Sequence, residues 1–218
     1  MTGTTHMRIR TILGAASAAL CAAALASAPA SAATTAATTA TVTATSGGPH
    51  GARASWPWNL VDRSPGLVRP KALTVDRSIG ARRAAREVRL AQLLYTFWDT
   101  GDRKYLDAAV GPGFRDNTLP PGRPQGIEGP LFASKRFRAA VPDLTCELAD
   151  VLVAGDRITA RLVFRGHFTG TFAGVAGKGQ AVEFNAIDIQ HAGHDKIIED
   201  WHIEDNQTLL TQLGVTAS

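Results

Sequence analysis

The stretch IIEDWHIEDN, residues 197–206, alternates apolar and polar residues as a strand does, yet it carries Glu199, Asp200, His202, Glu204 and Asp205. An imidazole among carboxylates is equipment for moving protons near neutral pH. On a solvated edge strand the same charges would only discourage pairing with other chains. Spacing says which side chains meet. With Gly193, His194 and Asp195 as a three-residue turn, Ala192 faces Lys196, Asp188 faces Asp200, and Ala186 faces His202. Val182, Phe184, Ala186, Asp188 and Gln190 then share one face with Ile198, Asp200, His202 and Glu204. Ile187, Ile189, Ile197, Trp201 and Ile203 take the other. In this register His202 is the diagonal neighbour of Asp188, at roughly 7–8 Å between backbones. Asp188 and Asp200 stand directly opposed, and like charges so placed raise one carboxylate pKa in a dry site. Spacing leaves two readings open: solvated strand charges, or an acid–base pair of His202 and Asp188.

Other candidates are scattered. Tyr95 and Trp98 lie on a helical stripe, as core or pocket wall. Asn117 follows Phe114 and Asp116 in a loop that could reach a pocket mouth; turn formation is its other reading. His167, in RGHFTG, either meets the pocket or faces outward at a strand bend. Asp205 is placed to cap a final helix. No set of His and carboxylates has metal-ligand spacing, and there is no P-loop, dinucleotide fingerprint or nucleophile elbow, so no cofactor is expected.

The elements that must position these residues change period midway. From Ser78, the apolar positions Ala84, Val88, Ala91, Tyr95 and Trp98 recur at spacings of three and four and predict a long amphipathic helix ending at DTGD. DRKYLDAAV predicts a short helix stopped by GPG; FRDNTLPPGRPQG is a loop with a short extended start; IEGPLFASKRFRAAVPD is a third helix. Strands follow at 144–153, 156–170, 180–191 and 196–205, and QTLLTQLG closes as a short helix. Helices first and antiparallel strands afterwards predict an α+β fold, helices packed on one face of a curved antiparallel sheet.

Upstream, MRIRTILGAASAALCAAALASAPASA has the basic start, apolar middle and small-residue exit of a secretory signal peptide, cleaved after Ala32, with Met1 or Met7 as the start. Residues 1–32 are therefore expected to be removed, leaving a secreted protein with no membrane anchor and Cys146 as its single, buried thiol. Residues 33–77 read as a disordered Ala/Thr-rich linker and a proline-broken basic arm without regular elements, which Trp56 and Trp58 could clip to a domain spanning 78–218. The formal charge of +4 belongs to this N-terminal part: from Arg86 onward there are 14 Lys and Arg against 17 Asp and Glu. The arm lacks the aromatic interleaving or fold motif that would argue for nucleic acid.

The pieces FWDTGD, GHFTGTF, GKGQAVEF, DI and KIIEDWHIED together resemble the SnoaL-like polyketide cyclases, or ester cyclases, of the nuclear-transport-factor-2-like (cystatin-like) superfamily, over about residues 85 to 214. The resemblance implies a cone, a strongly bent antiparallel sheet around a deep pocket closed by helices. It also implies cofactor-free acid–base ring closure, with the acid/base just after the Trp of E-x-W. The family pattern usually has Asp there; this chain has His202. A pocket of this kind would hold Tyr95, Trp98, Asn117, His167, Phe184 and Asp200 around a small apolar substrate, with His202 and Asp188 catalytic. Three functions stay open: a cyclase-like enzyme, a non-catalytic ligand-binding pocket, and an interaction module. The outward isoleucines and Trp201 predict a sheet-to-sheet homodimer, unless the N-terminal arm covers them.

Overall fold

The structure is a computed structural model and describes residues 56–215. The leader and the Ala/Thr tract lie outside the described residues, as do the expectations made for them. The first described segment departs from expectation. Trp58–Leu60 form a 3-10 turn and Ala72–Val75 form a strand, β1, that pairs in parallel with Asp150–Val153. Leu60, Val61 and Leu73 are buried in the core. The three prolines that argued against regular structure lie outside β1, so its four residues keep the N–H groups that a ladder needs. Gln92 fastens the segment further: its amide accepts from Asp62 N (2.9 Å) and donates to the carbonyls of Asp62 and Val68 (both 2.9 Å). This stretch of the arm belongs to the domain. Trp56 packs against the core, whereas Trp58 stays exposed.

Helix α1, Ala81–Thr100, buries Ala84, Val88, Ala91 and Tyr95. It ends at Gly101, whose left-handed φ of 74° lets its N–H bond the Phe97 carbonyl. Asp102 caps α2, Arg103–Ala109, by accepting from Lys104 N. GPG does stop α2, but it lies inside a strand: β2, Val110–Asp116, pairs in parallel with the penultimate element of the chain. Pro112 is tolerable there because β2 is an edge. Helix α3, Glu128–Ala140, follows.

The strand run is close to that expected: β3 Thr145–Ala154, β4 Arg157–Phe168, β7 Gln180–Ala192 and β8 Ile197–Glu204, with a small unforeseen hairpin, β5 Thr171–Phe172 and β6 Val175–Ala176. Asp205 caps α4, Asn206–Leu213, through Thr208 N. The curved sheet runs β1-β3-β4-β7-β8-β2; its three central pairings are antiparallel and its two edges parallel. One core joins α1 to the inward residues of β3, β4 and β7, among them Val151, Ile158, Ala160, Leu162 and Phe184.

The β7–β8 register differs from the expected one by two residues. Asp188 pairs with His202, Gln190 with Asp200 and Ala186 with Glu204. The turn is longer, with Gly193 N bonding Lys196 O, and a bulge intervenes before Ala192 pairs with Ile197. A shift of two preserves facing, so the inward set is as expected near the site. The bulge reverses facing at the strand's start: Ile197 is fully buried and Ile198 exposed, opposite to expectation. On the outer face Ile187, Ile189 and Ile203 are 51%, 42% and 75% exposed, so no described segment covers them. Trp201, half-buried, lies under the Arg157 guanidinium.

Candidate functional site

Even-numbered residues of β7, and of β8 from Asp200 onward, point into the concave side, where a cavity of about 40 Å³ lies. Its walls are apolar: Leu94, Trp98, Phe114, Leu162, Phe164 and Phe184. Its polar end is built from Asp116, Arg123, Asp188, Asp200, His202 and Glu204. Phe184 stacks on Phe164 with centroids 5.0 Å apart, and Trp98 meets Phe164 edge-on at 6.1 Å, so the aromatic wall is continuous.

His202 is clamped on both sides. Its Nδ1 lies 2.8 Å from Glu204 Oε1 and its Nε2 3.1 Å from Asp116 Oδ2. With a carboxylate oxygen on each ring nitrogen, the imidazolium is the form of the ring that donates to both. Burial works against that charge, but the hydrogen bonds and charges of Glu204 and Asp116 outweigh it and raise the pKa to about 9. Glu204 is held below its ordinary value in turn: burial pushes it up, and the bond from His202 more than reverses this. His202 is therefore a fixed cation at neutral pH. It cannot serve as the free base that its strand position suggested.

Asp188, directly across from His202, is the group poised to accept a proton. It is almost fully buried, and burial raises its pKa to about 7, tempered by the His202 cation and a hydrogen bond from Tyr95. Tyr95 Oη donates to Asp188 Oδ2 at 3.0 Å and accepts from Gln190 Nε2. Asp200 is also buried; burial first, then the neighbouring Asp188 charge, push its pKa well above the usual carboxylate range. Its Oδ1 has no hydrogen-bond partner among the described residues, a costly position for a charge and a tolerable one for a protonated acid. The site thus holds a carboxylate near its titration point, a neutral acid and a fixed cation. That set can take a proton from carbon and stabilise the oxygen that receives the charge. Among the described residues no cluster of three His, Cys, Asp or Glu side chains could hold a metal ion.

Several expected pocket residues lie elsewhere. His167 is exposed, its Nδ1 2.7 Å from Asp143 Oδ2, because the odd positions at that end of β4 face outward. Asn117 does not line the cavity; its backbone N–H bonds the Asp200 carbonyl and extends the β2–β8 ladder by one rung. Tyr95 lies behind Asp188 rather than in the cavity wall. Trp98, Phe184, Asp188, Asp200 and His202 do converge on the cavity. Cys146 is buried, with its thiol pKa raised by that burial. Sequence reasoning missed Asp116 as a partner of His202 and Arg123 as the cation beside them. The only local trace was Pro120-Pro121-Gly122-Arg123, a turn signal that would have fixed the arginine's position.

The family model for SnoaL-like polyketide cyclases matches residues 88–213. Among solved structures, a candidate polyketide cyclase from Bacillus cereus ATCC 10987 is 44% identical, covering 72% of this chain and 99% of its own, with a TM-score of 0.65. TsrD from Streptomyces laurentii is 30% identical, covering 61% and 97%, with a TM-score of 0.55. IdmH, a candidate polyketide cyclase from Streptomyces antibioticus, is 30% identical, covering 58% and 96%, with a TM-score of 0.53. No curated protein matches.

Proposed function

The chain belongs to the SnoaL-like polyketide cyclase family, and from that premise we propose that it is a cofactor-independent acid–base enzyme acting on a small, apolar, enolisable carbonyl compound. The observation that carries this reading is the direct pairing of Asp188 with His202, both facing one apolar-walled cavity. Asp188 as carboxylate takes a proton from the carbon beside a carbonyl, and the bonding pair shifts toward the carbonyl oxygen. The protonated Asp200 and the His202 cation stabilise that oxygen. The carbanionic carbon then attacks a second carbonyl carbon of the same molecule, whose π pair moves onto its oxygen and takes back the proton from Asp188, which closes the ring and restores the carboxylate. This assigns the base to β7 rather than to the position after Trp201. Tyr95 positions Asp188 by holding one carboxylate oxygen. Two further expectations are part of the proposal: export through the leader at 1–32, and a two-fold dimer through the outer sheet face with its exposed isoleucines.

The test is proton exchange from carbon in heavy water, followed by NMR over a panel of apolar ketones and β-keto esters. Exchange should be catalysed by the wild type and fall about 10²–10⁴-fold in Asp188→Asn, with ligand binding retained. Binding without exchange in the wild type would leave a ligand-binding pocket in place of an enzyme.

A further inference from the structure

The inner cavity is small, about 40 Å³, and does not stand alone. Against it lies an outer groove of about 200 Å³, lined by Pro120, Pro121, Phe132 and Phe172 among others. Arg123 and Phe137 line both spaces, so they form the partition between them. The aromatic wall continues across it: Phe137 stacks on Phe184 at 5.9 Å and meets Phe172 at 6.3 Å.

Arg123 is placed there by a rigid loop. Its N–H bonds the Pro120 carbonyl (3.1 Å) across a turn with Gly122 at φ 80°, where an L side chain would be strained. Gln125 bonds both backbone groups of Asp116 (2.7 and 2.8 Å), and His202 N donates to Thr118 Oγ1 (2.9 Å). The guanidinium at the end of this scaffold is poorly used. Its Nη1 is 3.7 Å from Asp116 Oδ2, beyond hydrogen-bond length, and 3.4 Å from His202 Nε2, which is itself a donor to Asp116. The Arg123 side chain is only 14% exposed, and its N–H fork has no oxygen acceptor at hydrogen-bond distance among the described residues.

We propose that the substrate spans both spaces and that Arg123 is its oxygen-recognising group. A β-dicarbonyl head reaches into the inner cavity with its oxygens toward the guanidinium fork, beside the Asp200 acid and the His202 cation that share the stabilisation of the enolate, and an apolar tail lies in the outer groove against Phe132, Phe137 and Phe172. This rests on the assignment of Asp188 as base. The proton between the two carbonyls passes to the Asp188 carboxylate, the C–H pair becomes the enolate C=C bond, and a carbonyl π pair moves onto oxygen. Negative charge leaves Asp188 as it appears on the oxygens facing Arg123, so the net charge of the site is constant. A carboxylate head would instead add a negative charge beside Asp116 and Glu204. A planar fork that holds two oxygens at once is the geometry for an enolised dicarbonyl.

The test uses calorimetric titration of the full chain at about pH 8 with three probes of one chain length: decane-2,4-dione, decanoate and decyl alcohol. The diketone should bind and develop its enolate ultraviolet band. Arg123→Gln should weaken it about 10- to 100-fold, the cost of a charged hydrogen bond, without affecting the alcohol. Arg123→Lys should recover part of the loss, and Phe172→Ala should weaken diketone and alcohol alike. Unchanged diketone affinity in Arg123→Gln overturns the proposal, as does Arg123-dependent decanoate binding tighter than that of the diketone. Unchanged affinities in Phe172→Ala overturn the placement of the tail. If binding depends on Arg123 but the enolate band survives in Asp188→Asn, the assigned base is wrong and the subsite stands; the two failures are distinct.

Discussion

Replacing Glu204 by Gln keeps the shape of the clamp around His202 and removes one of its charges. The Nδ1 to Oε1 contact is 2.8 Å and His202 lies within a buried site, its side chain 8% exposed. Opposite charges about 4 Å apart interact by about 4 kcal/mol at an effective dielectric of 20, a gross figure that the remaining amide hydrogen bond and relieved desolvation reduce. A net loss of about 1.5–3 kcal/mol is the range for a hydrogen bond to a charged group, equivalent to about 1–2 pKa units. His202 should therefore titrate about 1–2 units below its wild-type value of about 9. The sign for stability follows from linkage. A histidine whose folded pKa is raised contributes stability that is complete below its unfolded value of 6.5 and is lost as pH rises through about 9. Glu204, whose folded pKa is lowered, contributes above 4.5 and loses its contribution as pH falls. The gap in unfolding free energy between wild type and Glu204→Gln should be widest, about 2 kcal/mol, from pH 5 to 6.5 and should close on either side. Asp188 titrates in both proteins, so its effect largely cancels in the difference. Imidazole proton shifts followed by NMR from pH 5 to 10, with His202→Ala to identify the signal, and urea unfolding over the same range supply the measurements. A wild-type His202 titrating near 6.5, or indistinguishable curves for the two proteins, would refute the clamp.

Tyr95→Phe removes the donor to Asp188 and strands the Gln190 amide; we expect about 1–3 kcal/mol lost in urea unfolding. Because that bond favours the carboxylate, the acid limb of any pH–rate profile should also move above about 7, and an unmoved limb would separate Tyr95 from the base. A methyl group at Gly170 would collide with the Ala139 carbonyl at the end of α3, so Gly170→Ala should cost about 1–3 kcal/mol by thermal or urea unfolding. Trp201→Glu should convert a wild-type dimer to monomer in light scattering at micromolar concentration without disturbing the pocket; a monomeric wild type removes the dimer.

What the sequence determined by itself is what depends on local period. The spacing of Ala84, Val88, Ala91 and Tyr95 places α1 and its buried face, and the alternation in β7 and β8 puts Asp188, Asp200 and His202 on one side. That facing survives an error of two in the register, because side-chain period in a strand is two. The motifs that carried the resemblance likewise identified the family over nearly the span that its model matches. Tertiary structure decided the rest. The turn and the bulge at Ala192 set the register and exchanged the roles of Ile197 and Ile198. Residues 72–75, four residues among prolines, became a strand only because the β3 edge was open to pair with them. The chemistry was decided at longer range still. Tyr95 reaches Asp188 across 93 positions, Asp116 reaches His202 across 86 and Arg123 reaches it across 79. No local pattern encodes such meetings. Proton affinity follows from burial and from the charges that folding brings near, so the same Asp and His could exchange the roles of base and cation without any change in the sequence signal that picked them out.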